Sequence, residues 1–263
     1  MKQPFNWKIF FILLAASIVG VVAVIPYSLA LQRSNIPEAN LPVPMWSLVS
    51  LQVLQNAILF AIVIALGLLA ANRVGLGLPV LEGRLQGESV GEKIKTFWLP
   101  SIVLGILGSV LVIVLDRFLF NPLLMAELGD KTATLNQEAL QPAAWKGLLA
   151  SFYGGIDEEI LLRLGLMSIL VWLGCFVSKT EQGKPTLAVL WSANVLAAVL
   201  FGLGHLPATA AIFPLTPLVI LRAVTLNGLI GIVFGYLYFK HGLEAAMLSH
   251  FTADIILHVL LAL

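Results

Sequence analysis

Three short clusters of ionisable residues interrupt apolar stretches of this sequence, and each has a spacing that could support chemistry. They are Asp157-Glu158-Glu159 with Arg163, Phe201 with His205, and His250 with Asp254. On a helix, residues four apart share a face. Glu159 and Arg163 are therefore set to pair, with the acid amino-terminal to the base as favoured. Glu158 lies about 100° round the helix from Glu159, off that stripe, which leaves its carboxylate to face a polar cavity. His250 and Asp254 also share a face. His258 continues their stripe near the chain end, where it reads as a solvated interfacial residue. A charge at mid-bilayer costs about 2.5–3.5 kcal/mol on insertion scales, so so many ionisable groups in apolar stretches point to function. Convergence of Glu158, His205, His250 and Asp254 into one site is the economical reading.

Such a set suits hydrolysis of a peptide bond. The reaction needs water made nucleophilic, donors for the tetrahedral oxyanion and a proton for the leaving amine. A carboxylate in a low-dielectric pocket is a stronger base than in water, which fits Glu158 as general base. His205 would orient the water or stabilise the oxyanion; His250 would donate to the oxyanion, with Asp254 fixing its position. His205, His250 and Asp254 are also a ligand set that Zn2+ accepts with an open water position, Glu158 then deprotonating the bound water. No HExxH pair exists, so a metal site requires tertiary convergence. The single cysteine, Cys175, rules out a disulfide framework or a Cys-rich zinc cluster, and no activating partner lies near it in sequence.

The elements that must position these groups are membrane helices. Of the 263 residues, 59% are hydrophobic and 11% charged, against about 25% charged in soluble domains. The formal net charge of +1 gives no bulk field for a nucleic-acid partner. Apolar stretches of spanning length occur at 8–31, 46–71, 98–120, 145–177, 187–205, 218–239 and 243–263. Residues 208–221, punctuated by Pro207, Pro214 and Pro217, form a possible short or re-entrant eighth. The expected fold is an all-α polytopic bundle of about seven to eight spans around a polar intramembrane cavity. Three parts are expected: leading spans over 1–120, an extramembrane connection over 121–144, and a catalytic core over 145–263. Ser28-Leu29-Ala30 resembles a signal-cleavage site, but the apolar run before it is too long for a signal core, and the segment reads as a retained anchor. Arg222 and Glu244 sit near span ends and read as snorkelling, Asp116-Arg117 as interfacial, and Gly228, Gly231 and Gly235 as a packing face.

On these motifs the sequence resembles the CPBP family of intramembrane proteases, the CAAX proteases and bacteriocin-processing enzymes also called the Abi family. The family pattern of EExxxR, FxxxH and HxxxN or HxxxD is matched by Glu158-Glu159…Arg163, Phe201…His205 and His250…Asp254. The resemblance spans about residues 145–263. It implies an all-helical fold with a catalytic cavity sunk in the bilayer, endopeptidase activity, and a membrane-associated protein or peptide substrate. Asp254 stands where eukaryotic prenyl proteases usually have Asn, which weakens transfer of prenyl-peptide specificity and leaves metal binding open. Two other classes use the same residues: a secondary transporter or proton relay, and a non-catalytic scaffold on the protease fold. The missing internal repeat and the motif order disfavour the first; the intact motifs disfavour the second.

Basic residues set the orientation. Lys2, Lys8, Arg73, Arg84, Lys93, Lys95, Lys179, Lys184 and Lys240 fall on one side, and Arg33, Lys131 and Lys146 on the other. The positive-inside rule then predicts a multi-pass protein with a cytoplasmic amino terminus. By simple counting His205 lies near the outer end of its span and His250 nearer the inner end, so a tilt, a break or a recount must bring them together. Cysteines placed at Asn6 and Gly87 should both label from the cytoplasmic face, and external labelling of either would reject this map.

Overall fold

The computed structural model describes residues 5–32, 44–129 and 142–263. Lys2, Arg33 and Lys131, and half of the polar connection expected over 121–144, lie outside the described residues. The helices are α1 (Trp7–Gln32), α2 (Met45–Val74), the short α3 (Pro79–Leu85) and α4 (Gly91–Leu115). A wide π turn, Asp116–Phe120, leads from α4 into α5 (Asn121–Leu128). After the connection come α6 (Ala144–Phe152), two π segments (Tyr153–Glu158 and Ile160–Met167) and α7 (Ser168–Gly174) as one helical rod. There follow α8 (Leu187–Gly204), α9 (Leu206–Ala210), α10 (Pro217–His241) and α11 (Leu243–Asp254), the last extended by a π turn through Val259.

Six of these helical paths are long and apolar enough to cross a membrane, and the protein is a helical multi-pass membrane protein. The fourth apolar stretch is the rod from Ala144 to Gly174, whose cluster of charges from Asp157 to Arg163 sets it apart from those six. The expected eighth element does not form a separate span. Its residues make the short α9, a turn and the first part of α10, because the prolines end one helix and start the next. The third path is longer than its apolar core, running from Gly91 to Leu128 over 38 residues, so the first part of the connection is helical.

Large apolar side chains such as Leu54, Ile58, Leu107 and Phe118 are exposed along the bundle, a surface that lipid covers. The core joins Ile9 and Leu13 of α1, Phe60 and Ile64 of α2, Ile160, Leu164 and Met167 of the rod, and Phe201 and Phe234 from α8 and α10. Two ion-bearing groups read from the sequence as interfacial are tied into this frame. Arg222 binds Asp116 in a bidentate pair, Nε to Oδ1 at 2.6 Å and Nη2 to Oδ2 at 2.8 Å. Glu244 accepts from the backbone N–H groups of Val80 and Leu81, capping the start of α3.

Two cavities reveal how the spans run. The amino-terminal end of α1 meets the carboxyl-terminal ends of α2 and α10 and the start of α4 around a cavity of about 870 Å³. The other end of α1 meets the ends of α8 and α11 and the first turns of α10 around one of about 390 Å³. Adjacent spans therefore alternate in direction, and the second cavity lies in the half of the bundle away from the amino terminus.

Small residues let the rod approach its neighbours. A Cβ at Gly67 of α2 would sit 2.6 Å from the carbonyl oxygen of Leu164, whereas a Cβ at Gly91 meets nothing within 4 Å. Gly67→Ala should destabilise the bundle by about 1–3 kcal/mol, the range for overpacking. Thermal unfolding in detergent should show a lower midpoint for Gly67→Ala and an unchanged one for Gly91→Ala.

Candidate active site

The three acids of the rod have three different surroundings. Asp157 is fully buried against α1, where a Cβ at Gly20 would fall on its Oδ2. Glu158 keeps 21% of its side chain accessible and lines the smaller cavity. Glu159 is sealed inside the bundle, pairing with Arg163 Nη1 at 3.0 Å, with side chains 0% and 1% accessible. The division expected from helical spacing, one paired acid and one facing a cavity, matches this placement. It holds although the segment winds as π turns, because the two residues still meet across one turn.

Arg163 is held from several directions, although its Nε has no hydrogen-bond partner. Its Nη2 donates to the carbonyl of Gly231 at 2.8 Å, and its guanidinium lies over the rings of Phe201 and Phe234 at 5.0 and 5.4 Å. Gly231 therefore does more than pack helices: a Cβ there would lie 3.1 Å from the Phe201 ring and 3.2 Å from Arg163 Nη2. Gly235 admits the side chain of Asn194, which donates to the carbonyl of Ile232 at 3.0 Å. Gly228 packs on the Ala198 backbone, so the expected glycine face is a packing face toward α8.

His250 joins the ion pair to the cavity. Its Nδ1 is 2.7 Å from Glu159 Oε1, and a carboxylate oxygen only accepts, so Nδ1 carries the hydrogen. Its Nε2 faces Glu158 Oε2 and Asp254 Oδ1, each at 3.6 Å. The ring stacks on Phe234 with centroids 4.3 Å apart, and Phe201 meets it edge-on at 5.7 Å. Phe201 also touches the ring of His205 at 4.6 Å, spanning the two histidines whose depths simple counting set apart. His205 Nδ1 lies 2.9 Å from the Phe201 carbonyl, so that nitrogen donates and Nε2 is left for the cavity.

Glu158, His205, His250 and Asp254 thus line one cavity, while Glu159 and Arg163 stand behind it. The glycines ahead of the acids permit the close packing. A Cβ on Gly154 would collide with Asp254 Oδ2, and one on Gly155 would lie 3.0 Å from Phe251 Cβ. Two lining residues escaped the sequence reading. Tyr27 of α1 carries no local signal, and His258, taken there as interfacial, turns into the cavity beside Asp254.

Among the described residues no three His, Cys, Asp or Glu side chains are grouped so as to hold a metal ion. Glu159 holds Nδ1 of His250 and leaves its Nε2 toward the cavity, but His205, His250 and Asp254 are not grouped as a ligand set among the described residues.

A site of this kind, sunk in a helical membrane bundle, is borne on a segment with known relatives. Residues 140–256 match the family described as type II CAAX prenyl endopeptidase Rce1-like, and this segment belongs to it. The match supports, in general terms, an intramembrane protease of the CAAX type. The match covers the rod through α11 and leaves α1 to α5 outside it. No curated protein and no solved structure matches the chain.

Breaking the buried pair tests the frame of the site. Glu159→Gln strands the Arg163 charge and should lower stability by about 3–5 kcal/mol, with activity lost as His250 loosens. Glu159→Leu with Arg163→Met should recover much of the stability in chemical or thermal unfolding, but none of the activity.

Proposed function

We propose that the chain is an endopeptidase that hydrolyses a peptide bond of a membrane-associated protein or peptide, with Glu158 as the base that activates water. What carries this reading is the convergence of Glu158, His205, His250 and Asp254, from three helical paths, on one cavity. A water seated between Glu158 and His205 gives one proton to the Glu158 carboxylate. Its second hydrogen is held by the bare Nε2 of His205, since Nδ1–H is occupied by the Phe201 carbonyl. The hydroxide adds to the scissile carbonyl carbon and the oxyanion receives Nε2–H of His250. Glu159 accepts Nδ1–H of the same ring, and Asp254 stands 3.6 Å from Nε2, an arrangement that suits an imidazole with hydrogens on both nitrogens. Collapse of the intermediate breaks the C–N bond, and the amine leaves with the proton held by Glu158. The donors are fixed before substrate arrives, so little reorganisation is needed.

With the amino terminus cytoplasmic, as the basic asymmetry predicts, the cavity lies in the outer half of the bilayer, and the scissile bond approaches from that side. Purified protein in liposomes, presented with a peptide library, tests the reading. Glu158→Gln should lower cleavage by about 10²–10⁴-fold, the usual worth of general acid–base catalysis, with an unchanged melting midpoint. Wild-type cleavage by that variant would remove Glu158 as the base. Proton flux without cleavage would favour a relay, and neither activity a scaffold. A tight chelator should leave the rate unchanged. A rate lost on chelation and restored by zinc would instead assign a metal to His205, His250 and Asp254.

A further inference from the structure

The cavity holds a second tier of polar groups beyond those used in hydrolysis. His258, on the π turn that extends α11, places Nε2 3.9 Å from Asp254 Oδ1 and Nδ1 3.2 Å from the hydroxyl of Tyr27. The Tyr27 and His258 rings meet edge-on, with centroids 5.5 Å apart. The backbone of His258 is gripped as well. Gly147 of α6 lies against its carbonyl group, and a Cβ there would clash with that oxygen and lie 3.1 Å from His258 Cβ. Tyr27 and His258 line the cavity with Glu158, His205 and His250, and both fall outside the matched segment 140–256.

Donor and acceptor counting gives the chain a direction. A carboxylate accepts only, so the His258 nitrogen that faces Asp254 with profit is the one carrying hydrogen. In the neutral ring Nδ1 is then bare and takes the Tyr27 O–H. Asp254 is thereby addressed on both sides. Its Oδ1 lies between Nε2 of His250 at 3.6 Å and Nε2 of His258 at 3.9 Å, and its Oδ2 is pressed on Gly154. Both separations exceed a direct hydrogen bond. One bridging water, or tightening as substrate binds, closes the gap to His258, while the Nε2–H of His250 stays free for the oxyanion and feels Asp254 as a neighbouring charge. Without His258 the Asp254 carboxylate is held on one side only.

We infer that Tyr27 and His258 are positioning residues of the hydrolytic site, fixing the Asp254 carboxylate toward His250, so that the first membrane span is part of the catalytic apparatus. This rests on the protease reading above. Neither residue touches the scissile bond, so the rate of the chemical step should suffer while substrate binding does not.

The experiment is a steady-state comparison in liposomes of wild type, Tyr27→Phe, His258→Leu, His258→Gln, the double variant Tyr27→Phe/His258→Gln, and Glu158→Gln as reference. His258→Leu should lower kcat roughly 10–100-fold, as loss of an outer-shell partner does in other sites, with KM within about twofold. His258→Gln keeps an N–H near the Nε2 position and should recover most of that loss. Tyr27→Phe should lower kcat roughly 3–10-fold in the wild-type background and add nothing in the His258→Gln background, because the two side chains act through one bond. Wild-type kcat in His258→Leu overturns the inference, as does equal loss in the Leu and Gln variants with a lowered melting midpoint, the mark of a packing role. Additive effects of Tyr27→Phe and His258→Gln overturn the link between them. If Glu158→Gln is inactive while His258→Leu is not, this inference alone fails. If Glu158→Gln cleaves normally, the protease mechanism is what fails.

Discussion

The structure turns on one ion pair. Glu159 and Arg163 lie 3.0 Å apart with almost no accessible side chain, in a segment surrounded by apolar helices. Each charge alone would be prohibitive there, and together they persist only because every neighbour cooperates. Gly231 offers a carbonyl, Phe201 and Phe234 offer ring faces, and the second lone-pair region of the same Glu159 oxygen takes the histidine. The pair thus fixes where α8, α10 and α11 stand relative to the rod. His250 is oriented as a by-product of neutralising an arginine.

This coupling separates two tasks that the motif places side by side. Glu159 belongs to the frame and Glu158 to the cavity wall, and a single step along the chain moves the carboxylate from a sealed interior to that wall. Asp157, one step the other way, turns to α1, where Ser17 is also buried. A run of three acids is tolerated because each residue exits the rod in a different direction. The π turns widen the rod at this point, where glycines at 154 and 155 let α11 close on it.

Much of this was legible in the sequence because it is local. The Glu159–Arg163 pair, the His250–Asp254 stripe and the spanning helices follow from spacing and hydropathy within one segment. The gathering of Glu158, His205 and His250 followed from the cost of leaving each alone in lipid. What spacing does not carry is pairing across the fold. Asp116 and Arg222 are 106 positions apart and read as two interfacial charges, yet they form one bidentate bridge. Tyr27 and His258 are 231 apart and meet only because α1 is drawn against the rod. The proline-rich stretch after His205 looked long enough for a re-entrant element, but its prolines break it into a short helix and a turn.

The uneven polarity of the rod has a consequence for biogenesis. Six helical paths can partition into lipid on their own hydropathy, but the rod carries Asp157, Glu158, Glu159 and Arg163 through the same core. At about 2.5–3.5 kcal/mol for a charged residue at mid-helix, such a segment leaves the translocon poorly unless something receives it. The spans made before it, α1 and α2, present the surfaces it docks on: Gly20 opposite Asp157 and Gly67 opposite Leu164. The amino-terminal spans that precede the matched segment therefore offer this charged rod packed protein surfaces in place of lipid.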